Sequence, residues 1–101
     1  MIKPKAIEVV GEDLLVRGPL LKRRVSLREL TAIRVQKVLS LADEVGVTLV
    51  GDQDIFFTDS EPWFLEVARD LDFESKFGPE WYSRAESGEL LEFQGAFVCA
   101  P

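Results

Sequence analysis

Arg17, Lys22, Arg23, Arg24 and Arg28 put five basic side chains into the fourteen residues RGPLLKRRVSLREL, positions 17–30, of a chain whose formal net charge is -6. If Arg17, Lys22, Arg23 and Arg24 converged, they would cradle a phosphate or an acidic peptide, because several charged donors aimed at one anion make a strong site. Period-two alternation works against full convergence: in a regular strand Lys22 and Arg24 share one face and Arg23 takes the other. Basic side chains also protect an exposed sheet edge, and the residues favour that structural reading. Trp81 and Tyr82 are the other candidate contacts, since aromatic residues anchor interfaces when partly exposed. Their helical spacing to Ala85 favours packing in the core of so small a protein.

Other chemistry is scarce. There is no histidine in the sequence, which removes the commonest general base and the commonest metal ligand. A zinc site needs several Cys or His ligands, and Cys99 is the only one available. It reads as a small apolar residue. Asp52 and Asp54 lack the further oxygens and terminal Glu of a calcium loop and read as a turn. Asp59 and Glu61 form a carboxylate pair of the kind that a second half rich in acids produces by chance. These residue types predict no enzyme, no metal and no cofactor.

Length and charge narrow the rest. A chain of 101 residues with 47% hydrophobic and 30% charged residues fits one soluble domain. No apolar run approaches the roughly 20 residues that span a bilayer. Residues 1–13 lack an apolar leader core. With a single cysteine, these features suit a reducing cytoplasm. Residues 1–40 hold nine Lys or Arg against four Asp or Glu, while residues 41–101 hold three against fourteen. The overall acidity argues against nucleic acid, whose binding rests on neutralising phosphates.

Strand patterns cover Ala6–Val10, Leu14–Arg17, Leu20–Val25, Thr31–Val38, Gly46–Val50 and Ile55–Thr58, punctuated at 11–13, 18–19 and 51–54. Ser26 and Glu29 have capping-box spacing around a single turn, with Ser26 placed to accept from the Glu29 amide. After Thr58 the period changes. Asp59 or Ser60 is placed to cap a helix with Pro62 in its first turn. Phe64, Val67, Ala68 and Leu71 make its apolar stripe, joined by Trp63. Residues 79–87 fit a short helix ending at Gly88 as C′, and Leu90–Phe93 and Ala96–Cys99 read as strand, bent at Gly95.

The order of these elements resembles the pleckstrin homology superfold, and more closely the bacterial PH-like domains. The resemblance is carried by LLVRGPL (14–20), RRVSLRELTAIRV (23–35), VTLVGD (47–52) and IFFT (55–58), and above all by the strand, one-turn dip and strand through Ser26. It spans about residues 6–72. It implies an α+β fold, a PH-like antiparallel barrel or sandwich capped by an amphipathic helix, with residues 73–101 as a helix–strand extension packed on it within one domain. It implies a non-enzymatic module that binds a protein, itself, or a membrane, without a cofactor. Protein–protein interaction is the favoured function. A small acidic immunity or inhibitor protein that neutralises a basic toxin or nuclease is the alternative from another class. Recruitment to anionic lipid through Lys22, Arg23 and Arg24 is a further one, less favoured in an acidic chain.

Overall fold

The alternating strands pair as two separate antiparallel sheets. A computed structural model describes residues 1–20, 22–39 and 43–95. Strands β1 (Ala6–Val10), β2 (Asp13–Arg17) and β3 (Lys22–Ser26) form a sheet in that order. Gly11, at φ +60°, sits first in the two-residue turn that closes Val10 onto Asp13. That position of a tight hairpin needs the left-handed freedom of glycine.

Ser26 then ends the strand. Its Oγ accepts from the Arg28 amide at 3.2 Å, one residue earlier than the capping-box spacing predicts, because Leu27–Glu29 is a single 3-10 turn. This turn carries the chain across to the second sheet, so β4 leaves β3 without pairing to it. The second sheet has the order β6-β5-β4-β7, from β4 (Ala32–Val38), β5 (Glu44–Val50), β6 (Ile55–Thr58) and β7 (Leu91–Gln94). Among the described residues no named strand of one sheet pairs with a strand of the other, so strand pairing does not close the expected barrel.

Alternation decides what each strand buries. Ile33 and Val35 on β4 sit beside Val47 and Leu49 on β5, all buried, while Arg34 and Gln36 face out. Ile7, Leu14 and Val16 supply the inner face of the three-stranded sheet. Three short helices complete this core. They are α1 (Phe64–Asp70), α2 (Phe73–Phe77) and α3 (Trp81–Glu86). Helix α1 packs on β1, α2 on β7, and α3 on β4 and β5.

The predicted stripe of Phe64, Val67, Ala68 and Leu71 is buried. Its predicted cap is not used. Helix α1 starts after Trp63 with no side-chain cap, so Asp59, Ser60 and Pro62 all lie before it; Asp59 instead accepts from the Val45 amide at 3.1 Å and from the Tyr82 hydroxyl. Gly88, at φ +103°, follows α3 as C′. Its amide donates to Ala85 at 3.0 Å. Strand β7 then pairs with β4, placing Leu91 opposite Val35. The expected strand at Ala96–Cys99 lies outside the described residues.

Candidate functional site

The seam between the two sheets is the feature with binding geometry. Among the described residues, strand β3 pairs with β2 only. Its other edge faces a groove of about 370 Å³, whose lining includes Arg23, Arg24 and Val25 on one wall. Glu29, Leu30, Gly51 and Asp52 form the opposite wall. Gly51 lets the β5–β6 turn close on the 3-10 turn, since a Cβ there would stand 3.0 Å from the Glu29 carbonyl oxygen. A second hollow of about 320 Å³ continues toward the hairpin tip over Val16, Pro19 and Leu20. Ile2, Arg23 and Gln53 line both.

Backbone alternation sets which groups the edge offers. The Leu27 amide donates to Glu12 at 2.8 Å. In an antiparallel pair this turns the backbone groups of Arg23 and Val25 toward β2. The N–H and C=O of Lys22 and Arg24 then point away from β2, and Arg24 lines the groove.

The register also sorts the basic side chains. Lys22 lies opposite Arg17 and Arg24 opposite Leu15 on the outer face, while Arg23 lies opposite Val16 on the inner side. The four therefore do not converge. Arg24 pairs with Asp13 at 3.5 Å. Arg23 donates to the Gln53 side-chain oxygen across the groove. Among the described residues, neither Lys22 nor Arg17 forms an ion pair, although both are exposed. Arg34–Glu92, at 3.0 Å, is an ion pair that joins the basic first half to the acidic second.

The other sheet edges are β1, β6 and β7. Ile2 donates to Asp54 and accepts from Phe56, both at 2.8 Å, as a parallel bridge on β6. Helix α1 lies against β1 and α2 against β7.

Trp81 and Tyr82 are positioned for packing. Trp81 is 8% exposed, its ring 5.1 Å from Phe73 and 6.1 Å from Phe64. Tyr82 is half-buried and donates to Asp59. That hydrogen bond, followed by burial and the carboxylate charge, pushes its proton affinity up from 10.0 to about 12. This is the reverse of an activated phenol. Sequence reasoning singled out the basic hairpin and the 51–54 turn separately. Nothing local in the chain marks Ile2 or Gln53 as their neighbours.

No family model matches the chain, and no curated protein or solved structure does either.

Proposed function

We propose that the protein is a non-catalytic, PH-like binding module that takes an extended segment of a partner protein along β3. The observation that carries this reading is the backbone of Lys22 and Arg24, unpaired among the described residues, on a strand beside a groove with an apolar continuation. An extended peptide satisfies such N–H and C=O groups by adding a strand, and a small molecule or a lipid headgroup does not. The strand–turn–strand run through Ser26 and the position of α1 after β6 support the PH-like likeness. The absence of histidine supports a binding role over catalysis.

The test is selection of peptides from a random displayed library, followed by amide chemical-shift mapping. Selected peptides should bind extended and shift residues 22–26 and 51–53. Arg24→Pro removes the edge N–H while keeping the β2 ladder, so it should abolish binding. Arg24→Gln keeps that N–H and should retain most of it. Peptides that map to the helical face instead, or that bind Arg24→Pro unchanged, refute the reading.

A further inference from the structure

We infer that the segment received at β3 is acidic on alternate residues and apolar on those between. This rests on the strand-addition reading above and goes further by specifying the chemistry of the partner. A strand laid against β3 has residues opposite Lys22 and Arg24 that point to the outer face, and the intervening ones point into the groove.

The outer positions call for carboxylates. Lys22 and Arg17 lie directly opposite each other. Like charges in that relation destabilise a sheet, and an acidic residue beside Lys22 relieves the repulsion. Among the described residues Arg24, itself exposed, pairs only with Asp13, at 3.5 Å, so it can turn to a second carboxylate beside it.

The inner positions exclude them. Glu29 and Asp52 line the far wall and repel an inward acid. Between them Arg23 gives one N–H to the neutral Gln53 amide, so at most the single inner position facing Arg23 is open to an acid. On either side of Arg23 and Gln53 the inner lining is apolar: Val25 and Leu30 at one end, Pro19 and Leu20 at the other, with Leu20 94% exposed. The seam therefore distinguishes an alternating segment from an acidic run of the same charge.

A fluorescein-labelled decapeptide of alternating glutamate and valine is the probe, followed by anisotropy against the full chain. It should bind and weaken as salt screens the outer pairs. Lys22→Gln with Arg24→Gln should reduce affinity on the order of tenfold. A block peptide with five glutamates followed by five valines should bind far more weakly, and a lysine–valine repeat not at all. N-methylation of alternate peptide amides should abolish binding without altering the protein.

If glutamine–valine or lysine–valine repeats bind as tightly, and N-methylation still abolishes their binding, the acidic specificity is wrong while strand addition stands. If no repeat binds at millimolar protein, or if binding ignores both N-methylation and Arg24→Pro, both readings fall. Attachment to phosphatidylserine vesicles with no peptide binding assigns the hairpin to membranes and overturns both. Self-association that occupies residues 22–26 overturns the inference in favour of a second copy.

Discussion

The Tyr82 hydroxyl and the Asp59 carboxylate show how one side chain can hold three elements. Asp59, just after β6, accepts from the amide of Val45 on β5 and from Tyr82 on α3. Tyr82→Phe removes one hydrogen bond and should cost about 1 kcal/mol at neutral pH. Because the folded state raises the Tyr82 proton affinity from 10.0 to about 12, this contribution is complete below pH 10 and is lost as pH rises toward 12. Thermal melts at pH 8 and pH 11.5 should therefore show a larger fall for the native chain than for Tyr82→Phe. At the seam the contrast is between charge and burial. Lys22→Gln with Arg24→Gln removes exposed charges and should change stability by less than about 1 kcal/mol. Leu30 is buried, so Leu30→Asp places an unpaired charge in the core and should cost about 3 kcal/mol or more in denaturant titration.

Between α1 and α2 the chain turns on a residue that is not glycine. Asp72 adopts φ +57° and ψ +52°, a left-handed conformation that Asp tolerates better than most side chains. Asp72→Gly should be tolerated within about 1 kcal/mol, whereas β-branched Asp72→Val should destabilise by about 1–2 kcal/mol, as chemical denaturation would show. The same stretch explains what the chain conceals. The alternation of Thr31–Val38 and the stripe Phe64–Leu71 are long enough for period to reveal them, and β4 and α1 lie there. Helix α2 has five residues, with only Phe73 and Phe77 buried, too few for a period to emerge. Asp59 has the composition of a helix cap, but its partners Val45 and Tyr82 lie far away in sequence, and tertiary contacts override the local preference. At the candidate site, the basic residues of β3 were legible and their division between two faces followed from alternation. The opposite wall was not, because Gln53 meets Arg23 only through the packing of two sheets.

At the scale of the molecule, residues 73–95 help to close the core. Phe73, Phe77, Trp81, Ala85 and Leu91 are all buried there. Truncation after Leu71 removes them and strips β4 of its β7 partner. The shortened chain should lose a cooperative thermal transition and aggregate, which calorimetry and light scattering would register. A soluble, cooperatively melting fragment would show instead that residues 1–71 suffice for a core.

That pairing of β4 with β7 also sets a timetable during synthesis. Strands β1, β2 and β3 can zip up as local hairpins soon after they leave the ribosome. Strand β4 can join β5, but the edge that will receive Leu91–Gln94 must wait for the helices and β7 to be made. At about 5–20 residues per second, that interval lasts several seconds. Throughout it, a half-finished sheet with Ile33 and Val35 near its bare edge is offered to whatever the cell has nearby. The nascent chain is thus more vulnerable to wrong pairing than the finished protein.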